Sequence, residues 1–266
     1  PYVQRDGVRL DLFAQDQRRG PKGEIFALDY CTPAGINVIY NQDLFDQAGV
    51  SYPTEDWTWS DLVAKGSKLV RDNSAGHRER WAMDNVIYQW EACRTQLWQN
   101  DAPILTRDKT RAATDSPRFV EALQWFSDLV NEFGLSPQSK LIEGAWPNAA
   151  FSSGKLAMVY GYAIWDNYAN NSFRWSNVRP PYGRVKAAMS EGKNTVTGWF
   201  IPVTSTQQDA AWEVLKYLMV DDKANALFST WWLPAYNPRK WVLRMPPEKQ
   251  NFMMTFVNDI YNHGAD

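Results

Sequence analysis

Residues 116–134 read SPRFVEALQWFSDLVNEFG, and this stretch constrains the fold more than any other. Ser116 can cap a helix, Pro117 suits its first turn, and Gly134 supplies a terminating residue tolerant of positive φ. Between them Phe119, Val120, Leu123, Phe126, Leu129, Val130 and Phe133 recur at helical spacing and predict one buried stripe. A second helix is predicted over 58–73, where Thr58 and Asp61 form a capping box ahead of Trp59, Leu62, Val63, Gly66, Leu69 and Val70. A third spans 208–219, with Ala211, Trp212, Leu215, Leu218 and Met219 inward. Shorter helices are expected at 41–49, closed by Gly49, over 86–99, near 221–230 and over 246–263. Extended segments fall between them: IFALDY at 25–30, GINVIYN at 35–41, MVY at 158–160 broken by Gly161, and NTVTGWFIPV at 194–203 interrupted by Gly198. Residues 101–114 read as a loop holding a hairpin. Helices alternating with strands define an α/β chain.

At 266 residues the chain is long enough for one large domain or two modest ones. Its net charge of −2 offers no basic excess to neutralise phosphates, so nucleic acid is not an expected partner. No apolar run approaches a membrane span. The opening PYVQRDGVRL reads as the interior of a protein rather than a natural beginning. Two cysteines, Cys31 and Cys93, and two histidines, His77 and His263, are too few for a zinc site of the usual kind, and no metal or cofactor is expected. The cysteine count alone leaves a disulfide and two buried thiols equally open. Dinucleotide, P-loop and nucleophile-elbow motifs are all missing from the sequence. Asp29, Glu91, Glu143 and Asp166 lie near aromatics, and a pair of carboxylates for glycoside hydrolysis stays open.

The chain carries 14 Trp, 12 Tyr and 12 Phe. Trp is a demanding core filler because its N–H needs a partner once buried. Trp57, Trp59, Trp125 and Trp212 are expected in the core. Trp165 differs: it follows the strand at 158–160 and stands beside Asp166 and Asn167. Loops beyond strand ends are where α/β proteins meet their ligands.

Several stretches, in order, resemble family 1 of the extracellular solute-binding proteins of ABC importers, which includes the maltose-binding proteins. They are GINVIYNQDLFDQAGVSYPTEDWTWSDL (35–62), LWQNDAPI (97–104) with TDSPRFVEALQWFSDL (114–129), FSSGKLAMVYGYAIW (151–165), TGWFIPV with AAWEVLKYLM, and LPAYNP (233–238). The resemblance covers nearly the whole chain. It departs where the family's Gly-Gly is Asp101-Ala102, and where the family's earlier first-lobe elements and later C-terminal helices are not in this sequence.

The resemblance implies a periplasmic-binding-protein-like fold of type II, with two α/β lobes and a ligand between them. It assigns 1–32 and 199–234 to the N-terminal lobe, and 33–198 and 235–266 to the C-terminal lobe. Crossings are expected near Tyr30–Ala34, Thr197–Phe200 and Leu233–Tyr236. It further implies a monomeric receptor outside the cytoplasm, periplasmic or lipid-anchored, which catalyses no reaction. Such a receptor closes on a sugar or oligosaccharide and delivers it to a membrane permease. Trp165 matches the family's stacking Trp. Trp90, Trp199, Trp232 and Tyr30 are further aromatic candidates, and Asn37, Gln89 and Asp166 are candidate hydroxyl partners. The chemistry agrees, since a flat indole covers the C–H face of a sugar while amides and carboxylates bond its rim. A hydrolase with paired carboxylates and a receptor of the same fold for a non-sugar solute are the alternatives.

Overall fold

The computed structural model describes residues 1–13, 18–19, 22–31, 36–88, 90–108, 110–162, 168–186, 198–229, 233–247, 249–251, 253–254 and 257. In chain order the elements are α1 (Tyr2–Arg5), β1 (Arg18–Arg19), β2 (Ile25–Asp29), β3 (Ile36–Asn41), α2 (Gln42–Gln47), α3 (Trp59–Leu69), β4 (Arg71–Asp72) and β5 (Arg78–Arg80). There follow α4 (Trp90–Gln99), α5 (Pro117–Asn131), α6 (Pro147–Ser152), β6 (Met158–Tyr162) and β7 (Trp175–Val178). The last are β8 (Gly198–Trp199), α7 (Gln208–Val220), α8 (Asp222–Phe228) and α9 (Pro238–Val242). Packing divides the chain into two units. One holds the described residues of Pro1–Gly35 and Ser190–Asp266, the other Ile36–Tyr162 and the described residues of Asp166–Met189.

The second unit is organised on β3, the central strand of a sheet ordered β6-β3-β7, antiparallel throughout. Every residue of β3 is buried, as a strand covered on both faces requires. Side chains alternate between faces. Ile36, Val38 and Tyr40 join Met158, Tyr160 and Val178 in a core with Leu62 and Leu69 of α3 and Phe126 and Leu129 of α5. Asn37 and Ile39 take the opposite face. Asn41 ends the strand and caps α2, accepting from the Leu44 amide at 3.1 Å.

Helix α3 forms where Thr58 and Asp61 satisfy each other's backbone amides in the expected capping box. Gly66 allows close packing, since a Cβ there would lie 3.1 Å from both Ala82 Cβ and Leu135 Cδ1. The helix stops at Leu69 rather than 73. Arg71–Asp72 instead pair with β5. Between those strands the Asn73 side chain accepts the amides of Ala75 and His77 and folds a local turn that competes with helix.

Helix α5 has its Ser116 cap, and Pro117 begins it. Its buried stripe is narrower than expected: Phe119, Ala122, Phe126 and Leu129 are buried, while Val120, Leu123 and Phe133 are exposed. The helix lies on the surface, so only a seam meets the core. The hairpin expected in 101–114 forms around an antiparallel bridge between Leu105 and Ala112, flanked by the Thr106 amide on the Arg111 carbonyl and the Ala113 amide on the Ile104 carbonyl, each at 2.9 Å.

Gly161 does not break its strand. It lies inside β6, directly opposite Asn37. A Cβ at this position would collide with the Tyr168 hydroxyl and fall 2.8 Å from Ile39 Cγ1, so the glycine is dictated by close approach. Gly161→Ala is expected to cost about 1–3 kcal/mol through overpacking. Tyr168→Phe in the same chain should recover part of that loss, a non-additivity that urea unfolding midpoints of the two singles and the double would measure.

The first unit carries a sheet ordered β1-β2-β8, again antiparallel. Trp212 of α7 is buried, stacks on Tyr2 with ring centroids 5.4 Å apart, and donates its indole N–H to Asp6 at 2.8 Å. Lys216 and Arg5 also bond Asp6, each at 2.7 Å. Arg5 first, then Lys216 and Trp212, hold that carboxyl well below the usual carboxylate range. Of the strand expected over 194–203, residues 194–197 lie outside the described residues, and β8 keeps only Gly198–Trp199. The chain then leaves the sheet at Phe200 and turns at Pro202, whose carbonyl accepts the Ser205 amide.

Residues 235–266, expected with the second lobe, group with the first unit. Bridges from Cys31 to Pro234 and from Phe13 to Tyr236 bind this stretch to the first unit's backbone, and Ala235 and Trp241 are buried. Helix α9, unforeseen in the sequence, starts where Asn237 turns with φ +54 and Pro238 takes the first helical position. The described residues from Pro247 to Val257 are helical, in line with the helix expected over 246–263.

Candidate functional site

In the first unit the antiparallel pairing of β2 with β8 sets Leu28 opposite Trp199 and Asp29 opposite Gly198. Tyr30, the next residue after β2, therefore meets Trp199, with ring centroids 5.7 Å apart and planes tilted by 50°. Phe228 at the end of α8 reaches Tyr30 from another direction, at 5.5 Å. Tyr30 is half-buried, and Trp199 leaves 45% of its surface exposed. The result is an aromatic shelf whose indole is partly exposed. Burial, with Cys31 beside it, raises the Tyr30 phenol, so it presents an O–H donor at neutral pH.

Gly198 leaves this pairing close but uncrowded. A Cβ there would lie 3.0 Å from Ala27 Cβ and 3.4 Å from both Asp29 Oδ1 and the Leu28 carbonyl. Cys31 bridges to Pro234, and the Ala235 amide donates to the Tyr30 carbonyl at 3.3 Å. The described parts of the three segments expected as crossings thus lie side by side within the first unit. Trp199 also borders an apolar groove of about 320 Å³ walled by Phe26, Leu28, Trp212 and Met219.

In the second unit Asn37 is fully buried, and among the described residues neither its amide nitrogen nor its oxygen has a hydrogen-bond partner. The Asn177 amide nitrogen is likewise buried without a partner. Asn177 faces Ile39 across the β3–β7 ladder, which puts both amides on the face of the sheet turned away from the main core. Unmade hydrogen bonds on buried amides are costly and mark places where a polar guest or water is accommodated. Asn37 stands near the end of β6 from which the chain runs on toward Trp165.

The structure thus brings Tyr30 and Trp199 together and sets Asn37 in the other unit. Trp165, Asp166, Gln89 and Trp232 lie outside the described residues, and of Trp90 only the backbone, opening α4, is described. Phe228 was missed in the sequence: an aromatic at the end of a helix looks like core. Of the carboxylates considered for hydrolysis, Asp29 belongs to the first unit and is buried, whereas Glu143 belongs to the second and pairs with Lys155. Glu91's side chain lies outside the description. Cys31 and Cys93 are thiols and form no disulfide, and burial pushes the Cys93 thiol up to about 11. Among the described residues no cluster of His, Cys, Asp and Glu could hold a metal ion, and no helix is long and apolar enough to cross a membrane.

The two units have the periplasmic-binding-protein-like α/β fold. Residues 26–224 match the bacterial extracellular solute-binding protein family, and the chain belongs to it. A putative binding protein of Brucella abortus is 22% identical over 229 residues, which are 80% of this chain and 54% of that protein. The chain spans about half the length of the curated relatives it matches. An ABC substrate-binding protein from Listeria monocytogenes, solved in complex with cycloalternan, superimposes with a TM-score of 0.75 at 21% identity, covering 97% of this chain and 66% of that one. The Bdellovibrio bacteriovorus maltose/maltodextrin-binding domain, bound to maltotriose, gives 0.66 at 17% identity over 92% of this chain and 62% of that one. UgpB from Mycobacterium tuberculosis, in complex with glycerophosphocholine, gives 0.73 at 15% identity over 97% and 64%.

Proposed function

We propose that this chain is the ligand-capturing part of an ABC importer receptor for a neutral sugar or oligosaccharide. It works outside the cytoplasm with a membrane permease and performs no chemistry on its ligand. The observation that carries this reading is the Tyr30–Trp199 shelf at the end of paired strands, in a chain of the solute-binding family. A partly exposed indole suits the C–H face of a pyranose, and a phenol beside it can bond a ring hydroxyl. Asn37 offers both a donor and an acceptor with no competing partner among the described residues, which is what recognition of a hydroxyl needs. Capture follows by closure of two lobes, with contacts to the second lobe providing the differential affinity that favours the closed state. Trp165, the match to the family's stacking Trp, and Asp166, a candidate hydroxyl partner beside it, belong to the same proposal.

A thermal-shift screen of the chain against neutral mono- and oligosaccharides tests it. A cognate sugar at a hundred times its Kd should add about 2.7 kcal/mol of stability and raise the melting temperature. Stabilisation by a polyol phosphate and by none of the neutral sugars would instead favour a same-fold receptor for a non-sugar solute, the reading that the glycerophosphocholine complex keeps in view. Release of reducing ends during incubation would favour a hydrolase.

A further inference from the structure

A second groove, of about 480 Å³, lies wholly within the second unit and has no part in the site proposed above. Residues of β5, the C-terminal end of α5 and residues 136–139 and 141–143 line it. One wall is Trp81, half-buried, with the Arg78 guanidinium 4.7 Å from its ring centroid. Arg78 is fixed in turn by Asp72 and by the Gly134 carbonyl at the end of α5. Opposite stand Gln138, Ser139 and Glu143. Glu143 is one of three non-glycine residues with positive φ among those described, at +50°, in a turn closed by reciprocal Ile142–Ala145 hydrogen bonds. Such backbone strain persists only where surrounding structure enforces it, and here it presents a carboxylate at the groove's rim.

Charge decides the class of guest. Each ion lining the groove already has a counter-ion: Arg78 pairs with Asp72, Glu79 with Arg71 at 3.2 Å, and Glu143 with Lys155. The groove is therefore polar without net charge, with an indole wall and a carboxamide and a hydroxyl at its rim. Among the residues lining the groove an anionic guest would find no cation without a counter-ion, and an apolar guest would strand those polar groups. The volume lies in the range of small-molecule sites.

Its place in the fold separates it from the ligand end of the sheet. Trp81 bridges in parallel to Leu156, just before β6 begins, whereas Gly161 and Asn37 mark the far end of that strand. At about 3.3 Å per residue the six steps from Leu156 to Tyr162 span roughly 20 Å. We infer that this groove is a second binding site for a neutral, hydroxyl-rich ligand such as an oligosaccharide segment, independent of the shelf at Trp199.

Indole N–H resonances of the ¹⁵N-labelled chain test this, with maltotriose as the neutral probe and glycerol 3-phosphate as the charged comparator. The Trp81 cross-peak is identified by its loss in Trp81→Phe, or by sequential assignment of the unsubstituted chain if that variant does not fold. Titration with maltotriose should shift this peak saturably, and the shift should persist in Trp199→Ala. Gln138 is exposed, so Gln138→Ala should fold normally and weaken the apparent Kd about three- to tenfold, the effect of one neutral hydrogen bond. No shift with maltotriose, a shift abolished by Trp199→Ala, or an equal shift with glycerol 3-phosphate would overturn the inference. Because Trp199→Ala separates the two sites, failure of the receptor reading and failure of this one give different results.

Discussion

Trp199→Ala is expected to weaken sugar binding about a hundredfold, near 2.7 kcal/mol, while leaving the melting temperature of the ligand-free chain almost unchanged. Trp199 leaves nearly half its surface in solvent, so its removal opens no sealed cavity. Its backbone pairing with Leu28 does not depend on the side chain. What is lost is the platform over which a sugar ring lies, together with the ring contact that orients Tyr30. Trp199→Phe should recover part of the affinity, because a smaller aromatic face remains. Isothermal titration against the sugar found by thermal shift, with melting curves of the ligand-free variants, separates binding from folding. Full retention of affinity in Trp199→Ala would remove the shelf from the site. Collapse of the ligand-free melting temperature would make Trp199 a packing residue.

The largest effect on stability is expected at Trp57. Trp57→Ala should destabilise the second unit by about 3–5 kcal/mol, the cost of truncating a buried aromatic. Trp57 is only 2% exposed and packs in the main core. Its indole N–H donates to the Arg179 carbonyl at 2.6 Å, just beyond β7. The substitution therefore opens a cavity and also leaves a buried carbonyl without its donor. Trp57→Phe divides these terms: most of the volume stays, and about 1 kcal/mol is lost with the indole hydrogen bond. Denaturant midpoints of the three chains measure both terms, and equal stability of Trp57→Phe and the unsubstituted chain would show that the indole hydrogen bond contributes nothing net. Trp59 and Trp125, expected alongside Trp57 in the core, instead stack face to face 4.1 Å apart at its margin, half-buried, with the Trp59 N–H on Gln96. Truncating either should cost less.

Helix boundaries were legible wherever a residue acts on its own neighbours. Ser116 caps α5 and Thr58 with Asp61 caps α3, because capping bonds span only three residues of sequence. Asn73 shows how such a signal is overlooked: its side-chain turn ends the helical pattern four residues early, yet the apolar period runs on through Val70. The candidate site was legible in part. Tyr30 and Trp199 stood out as aromatics at expected crossings, and strand pairing does join them. Phe228 gave no such sign, since its position at the end of α8 is equally that of a core residue.

The sequence by itself determined an alternating α/β chain, the starts of its capped helices, and a high aromatic content. These follow from hydrogen bonds and side-chain periods that act over a few residues. Only the tertiary structure decided why Gly161 must be glycine, why the Asn37 amide stands buried without a partner among the described residues, and that Pro234 and Tyr236 are bound to Cys31 and Phe13 in the first unit. Each depends on atoms brought together from distant parts of the chain, and close packing, which leaves no room for an extra methyl or a missing donor, reveals itself only once those atoms meet.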